Sequence, residues 1–195
     1  KFTATRSESF LTDYQGRDLL THVELALDAD GKFLAMRADN INNAGARCVS
    51  LSPLGKGSAL ITGSYGIPAA TLRARSVFTN TMPTQAYRSS GRPEVTFAIE
   101  QIVEHAARQC GFDPLELRRK NLVPPEKMPY TNAVGARYDS GTYLTNMDRL
   151  LEIADWDGFE ERRIEAEKRS VLLGRGFANY VESSIGSPRE RAEIK

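Results

Sequence analysis

The sequence predicts an α+β fold of mixed, largely antiparallel strands packed with several helices. Alternating apolar and polar residues dominate residues 1–90, and helical periodicity dominates residues 91–170. Strands come first and helices mostly later, unlike the regular alternation that builds a doubly wound sheet. Residues 171–195 add a returning strand and a charged tail, and no internal repeat is visible. A chain of 195 residues can bury a real hydrophobic core.

Taken in order, residues 1–6 read as a short strand and residues 7–13 as a helical turn with Ser7 as its cap. Val23, Leu25 and Leu27 alternate with His22, Glu24 and Ala26, which fits a half-buried strand. Asp28-Ala29-Asp30-Gly31 is a turn signal, so residues 32–43 return as the second arm of a hairpin. Residues 42–53 are rich in Gly, Asn and Ser and read as a loop, followed by a short helix over residues 58–62 that stops near Gly63. Leu72, Ala74 and Val77 mark a third long strand over residues 71–80.

The clearest helix covers residues 93–110. Pro93 suits the first helical position, because its missing N–H is one that a helix start leaves unpaired anyway. Val95, Ile99, Ile102, Val103, Ala106 and Cys110 define its apolar face, with Glu100, Gln101, Glu104 and Arg108 mostly opposite and Gly111 as the stop. Asp113 caps the next helix, with Pro114 in its first turn and Glu116 placed as in a capping box. That helix ends near Asn121, and its basic Arg118-Arg119-Lys120 cluster complements the C-terminal end of the dipole. Residues 124–142 have loop composition. A third helix spans residues 144–154, with Leu150, Leu151 and Ile153 inward, and a charge-rich fourth spans residues 159–170. Trp156 and Phe159 read as core anchors, and residues 171–182 read as the returning strand.

Composition narrows the function classes. A net charge of +1 lacks the basic bias of a nucleic-acid or membrane-surface binder. No apolar run approaches the roughly 18 residues of a membrane span. Two cysteines and two histidines, widely scattered, show no zinc spacing, and a reducing cytoplasm is the simpler setting for Cys48 and Cys110. Cys110 is expected to be a buried, inert thiol. The chain starts at Lys1 rather than Met and ends in a charged run, so it reads as an excerpt of a longer polypeptide.

The segment from Thr84 through Gln85-Ala86-Tyr87-Arg88-Ser89-Ser90-Gly91-Arg92-Pro93 to Glu94 is the most informative. It presents hydroxyls and backbone N–H groups at a helix start, where anions bind, and Arg88 and Arg92 add guanidinium groups suited to phosphate or oxo-anions. A plain surface ion pair is the competing reading of Arg88, and the residues alone leave the ligand's identity open. A serine nucleophile is disfavoured, since the sequence around Ser89 and Ser90 lacks the first glycine of a nucleophile elbow. Neither His22, in a strand, nor His105, in a helix, is marked as its base.

Gln85-Ala86-Tyr87-Arg88, then Gly91-Arg92-Pro93-Glu94, then Asp113 to Leu122 with the sequence DPLELRRKNL, resembles the large subunit of the molybdenum hydroxylases. That family includes xanthine dehydrogenase, aldehyde oxidase and aerobic carbon monoxide dehydrogenase. The opening FTATRSESF and Asn80-Thr81-Met82-Pro83-Thr84 resemble it too, and the matches run in order from residue 2 to residue 186. The resemblance implies part of a molybdopterin-binding domain from an oxidoreductase that hydroxylates an aldehyde or N-heterocycle carbon with water. Arg88, Tyr87, Ala86 and Ser89 would lie at the cofactor, and Ser89 and Ser90 at the substrate pocket. The resemblance assigns no catalytic or metal-ligating residue to this stretch, since the glycine-rich cofactor segment and the catalytic glutamate lie elsewhere in the family's subunit. The implied cofactor is molybdenum-molybdopterin in its cytosine dinucleotide form, with iron–sulfur clusters and FAD on partner subunits or domains. The implied partners are the rest of the large subunit, the iron–sulfur and flavin subunits and a small-molecule substrate. Where carbon monoxide oxidisers carry a copper-binding cysteine after the arginine, this chain has Ser89, a hard oxygen that holds copper(I) poorly. The xanthine branch instead has glycine and then a stacking aromatic, and Ser90 cannot stack. The rival reading is a non-catalytic scaffold domain of the same fold.

Overall fold

A computed structural model describes residues 1–182 and 191–194. The part of the expected tail that falls in residues 183–190 and at residue 195 lies outside the described residues. The first element is a helix, α1 (Arg6–Thr12), not a strand. Its cap is Thr5 rather than Ser7: the Thr5 hydroxyl accepts from Glu8 N while the Glu8 carboxylate takes the Thr5 N–H, a reciprocal pair that outweighs the weak strand pattern before it.

Strands β1 (Leu19–Leu27) and β2 (Phe33–Gly45) form the expected antiparallel hairpin. Asp28 closes the turn, its carboxylate accepting from the N–H groups of Asp30 and Lys32. Strand β2 runs on to Gly45, through residues that composition had assigned to a loop. Helix α2 (Ser52–Ser58) then lies one helical stretch earlier than expected, ending where the sequence reading began it. It is the crossover that lets β3 (Ala69–Phe78) pair parallel to β2, giving a mixed sheet ordered β1-β2-β3.

Helix α3 (Arg92–Cys110) packs across this sheet. Phe33, Met36 and Ala38 from β2, Ile61, Tyr65 and Ile67 from the crossover, and Val95, Ile99 and Val103 from α3 make the core. Two residues depart from the expected stripe. Cys110 is exposed, because the last turn of α3, residues 108–110, projects past the core on every side. Glu100 is buried, because a second helix covers that flank.

That helix is α4 (Pro114–Asn121), capped by Asp113, whose carboxylate accepts from the N–H groups of Leu115 and Glu116. Its basic cluster is only partly a solvated dipole complement. Arg118 is 1% exposed and bonded to Glu100 and Glu104, since α4 turns this residue into α3. Asn121 ties α4 to the hairpin turn: its side chain accepts from Phe33 N at 2.8 Å and donates to Gly31 O at 2.8 Å. The basic-then-Asn motif is therefore a structural staple.

After α4 the chain makes a short 3-10 turn and a small hairpin, β4 (Tyr130–Thr131) with β5 (Arg137–Tyr138), inside the stretch that read as loop. Helices α5 (Tyr143–Ile153) and α6 (Phe159–Lys168) follow. Met147, not Leu150 or Ile153, is the buried residue of α5. Trp156 and Phe159 are half-buried and clasp the Arg175 guanidinium between them, 4.2 and 4.6 Å from the ring centres. Residues 171–182 are not a strand. No ladder partner engages them among the described residues; side chains hold them instead, with Val181 buried and Phe177 edge-on to Trp156.

Candidate functional site

The loop of residues 84–91 is fixed at both ends before it reaches Arg88. At its start, Asn43 at the end of β2 gathers the neighbouring segments: its Oδ1 accepts from Gly45 N and Thr79 Oγ1, and its Nδ2 donates to Asp18 and Thr81. The buried Thr84 hydroxyl donates to Asn43 O at 2.5 Å. Gln15 runs parallel to Thr84, with Gln15 N on Pro83 O at 3.2 Å and Gln85 N on Gln15 O at 3.0 Å. At its end, Gly91 caps α3 with φ +87, and a Cβ there would lie 1.8 Å from Pro53 O, so only glycine permits this approach of the two helix starts.

Between these points the backbone is strained. Ser89 and Ser90 carry φ values of 72° and 40°, a left-handed conformation that costs a non-glycine residue of order 1–3 kcal/mol. The turn is closed by Ser90 N on Tyr87 O at 2.8 Å and Arg92 N on Ser89 O at 3.2 Å. The amides of Arg88, Ser89 and Gly91 donate to no acceptor among the described residues.

The sequence-predicted residues separate by environment. Ala86 and Arg88 are exposed, and Tyr87 is 61% exposed. Among the described residues the Arg88 guanidinium has no ion-pair or hydrogen-bond partner, while its carbonyl accepts from Arg17 at 2.8 Å. Ser89 is half-buried and its hydroxyl meets Tyr180 and Glu182. Ser90 turns inward and is buried, its hydroxyl 3.0 Å from that of Ser52. Arg92, expected beside Arg88 as a second anion-binding charge, is buried and paired with Glu182 at 2.7 Å. Pro93 is the second helical residue, not the first.

Sequence reasoning missed Arg17. Its guanidinium stacks 5.4 Å over Tyr87, pairs with Glu94 at 2.8 Å, and reaches a loop carbonyl 71 residues away. No local pattern marks such a residue. An open cleft of about 410 Å³, lined by Arg17, Asp18, Leu19, Pro93, Glu94 and Phe97, lies beside it. His22 and His105 both line a different cleft, between β1 and α3, and no serine–histidine contact exists among the described residues.

These donors fit an anionic cofactor. A guanidinium without a partner among the described residues, the unengaged amides of Arg88 and Ser89 and a neighbouring arginine suit phosphate and oxo groups, and the carboxylates nearby, Glu94 and Glu182, are already neutralised by Arg17 and Arg92. Fold and loop together define an α+β cofactor-binding domain.

The comparisons make this specific. The family described as "Molybdopterin cofactor-binding domain" matches residues 1–122, and the chain belongs to it. The gamma subunit of the 6-hydroxypseudooxynicotine dehydrogenase complex of Paenarthrobacter nicotinovorans is 34% identical over 185 residues, covering 90% of this chain and 23% of that protein. The carbon monoxide dehydrogenase large chain of Afipia carboxidovorans is 35% identical over 205 residues, 100% of this chain and 25% of that one. The crystal structure of quinoline 2-oxidoreductase from Pseudomonas putida 86 superposes with a TM-score of 0.76 at 36% identity, covering 85% of this chain and 22% of that chain. The chain thus spans about a quarter of the length of these relatives. Among the described residues no helix is long and apolar enough to cross a membrane, and no cluster of metal-ligating side chains is present.

Proposed function

We propose that this chain forms the arginine loop and part of the pocket wall of a molybdenum hydroxylase that oxidises an aldehyde or an aromatic N-heterocycle. The observation that carries the reading is the exposed Arg88 guanidinium, without a partner among the described residues, on a loop of a molybdopterin-binding domain. Arg88 would hold an anionic edge of the molybdenum–pterin group, with Tyr87 and the unengaged amide of Ser89 beside it. Bound there, that group would supply water activation and two-electron redox chemistry. The chain's own part is to orient and to exclude wrong poses.

Ser89 offers a hydroxyl where copper would need a thiolate, so carbon monoxide oxidation is not the proposed reaction. The relatives named for a nicotine derivative and for quinoline favour an N-heterocycle. The cytosine dinucleotide form of the cofactor, a glutamate general base from elsewhere in the polypeptide, and partner subunits carrying iron–sulfur clusters and FAD complete the proposal. Exposed Phe2, Leu11, Phe78 and Leu172 would pack against those other parts.

The test is Arg88→Ala and Arg88→Lys in the protein expressed with its flanking sequence and partner subunits. Molybdenum per polypeptide after gel filtration is expected to fall about tenfold in Arg88→Ala and less in Arg88→Lys, since an ammonium keeps the charge without the planar fork. Unchanged metal content and unchanged turnover in Arg88→Ala would refute the assignment. The 195-residue chain alone is expected to show no sustained turnover with a dye acceptor and a panel of aldehydes and N-heterocycles. A sustained rate would refute that.

A further inference from the structure

After α6 the chain returns in extended form to the start of α3 and closes on the same loop. Asn179 donates to the Tyr65 hydroxyl at 3.2 Å and Val181 is buried, so this segment arrives in a fixed register. Among the described residues, three groups meet on the Glu182 carboxylate. The Ser89 hydroxyl donates to it, the Tyr180 hydroxyl donates at 2.6 Å, and the Arg92 guanidinium pairs at 2.7 Å. Tyr180 and Ser89 are themselves 2.6 Å apart. Arg92 also donates to Ser89 O at 3.2 Å. One side chain therefore grips both ends of the left-handed stretch formed by Ser89, Ser90 and Gly91. Non-glycine residues stay in that conformation only where their surroundings over-determine it. Arg17 holds the loop through the Arg88 carbonyl, and Glu182 holds it through the next residue.

We infer that Glu182, with Tyr180, is a positioning residue that latches the Arg88 loop and thereby aims the Arg88 guanidinium at the anionic cofactor. The inference rests on the reading of Arg88 given above. Glu182 acts through Ser89 and Arg92, 93 and 90 residues away in sequence. A glutamine at this position keeps the shape but loses the charge that draws in a guanidinium and two hydroxyl donors. Tyr180→Phe keeps the ring and removes one donor.

Limited trypsinolysis reads the latch directly, because Arg88 is exposed and precedes Ser89. In the full chain, Glu182→Gln is expected to speed cleavage at the Arg88–Ser89 bond about tenfold, with Tyr180→Phe intermediate. The exposed Arg169–Ser170 bond should be unaffected. In cofactor-loaded protein carrying its flanking sequence, Glu182→Gln should lose molybdenum on gel filtration about tenfold faster, and Glu182→Asp should restore part of the retention. Unchanged cleavage at Arg88–Ser89 in both variants overturns the inference, and so does an equal rise at both bonds, which marks general loosening. If Glu182→Gln does not fold, Tyr180→Phe decides by the same criteria. Arg88→Ala in the same loaded protein separates the two ideas. If it retains molybdenum like the parent, the reading of Arg88 fails; if it loosens molybdenum while Glu182→Gln and Tyr180→Phe do not, the latch alone fails.

Discussion

Nε of Arg118 lies 2.9 Å from Oε2 of Glu100, with both side chains almost wholly out of water. The remaining polar atoms of the pair are met. Arg118 donates to Glu104 and to Pro114 O at 3.0 Å each and to Glu100 O at 3.3 Å, while the Tyr65 hydroxyl donates to Glu100 at 2.6 Å. Burial pushes the Glu100 carboxyl above the usual carboxylate range, and Arg118 and Tyr65 pull it part of the way back. The network joins α3, α4 and the α2–β3 crossover, and through Asn179 it reaches the segment that carries Glu182.

Breaking this pair from one side should be costly. Glu100→Met leaves a buried guanidinium with only Glu104 as counter-charge, an expected loss of about 3 kcal/mol. The double change Glu100→Met with Arg118→Met should cost less than either single change, because no unpaired charge remains. Denaturant midpoints at unchanged slope measure this, and additive single losses would contradict it.

Asn121 closes the hairpin turn with three side-chain bonds, to Phe33 N, Gly31 O and Leu117 O. Asn121→Ala leaves buried backbone groups unpaired and is expected to cost about 2 kcal/mol. Asn121→Asp keeps the acceptor for Phe33 N but sets an anion against two carbonyls, and should be at least as harmful. Hydrogen exchange of Phe33 N–H should quicken in both.

Gly91→Ala combines a positive φ with a Cβ placed 1.8 Å from Pro53 O. The loop must move or α2 must shift, at an expected cost of about 3 kcal/mol. Gly111→Ala, also at positive φ but in open space, should cost about 1 kcal/mol. Thermal unfolding of the two variants side by side tests the contrast, and equal losses would remove the steric argument.

The tyrosines set an alkaline limit. Burial raises the phenols of Tyr65, Tyr138 and Tyr143 above 10.0, Tyr143 to about 12. Because the folded values lie above the unfolded one, this stabilisation is complete below about pH 10 and is lost as pH rises through the folded values. Stability should therefore fall with pH in this range. Tyr65→Phe, weaker at neutral pH because Glu100 loses a donor, should fall less steeply. Phenolate absorbance followed with unfolding checks both, and a parallel decline would refute the Tyr65 contribution.

Local chemistry made several elements readable. Asp28 to Gly31 announced its hairpin, Asp113 its helix start and Gly111 a helix end, because turns and caps depend on residues a few positions apart. The apolar period of α3 named Val95, Ile99 and Val103 correctly. Composition misjudged β2 near Asn42, where buried Asn residues serve as hydrogen-bond nodes rather than as loop formers. It also misjudged residues 171–182, whose β-like pattern finds no neighbouring strand among the described residues.

By itself the sequence determined the α+β class, the hairpin, the two capped helices and, through its resemblance, the molybdopterin-binding family. Tertiary structure alone decided which arginine faces outward. Arg88 and Arg92 look equivalent along the chain, yet Arg92 turns inward to Glu182 while Arg88 stays exposed, with no partner among the described residues. It likewise decided that Arg118 is buried on Glu100 rather than solvated at a helix end. The reason is the same in both cases. Charge placement depends on partners brought close only by folding, and no short-range pattern encodes a contact between residues tens of positions apart.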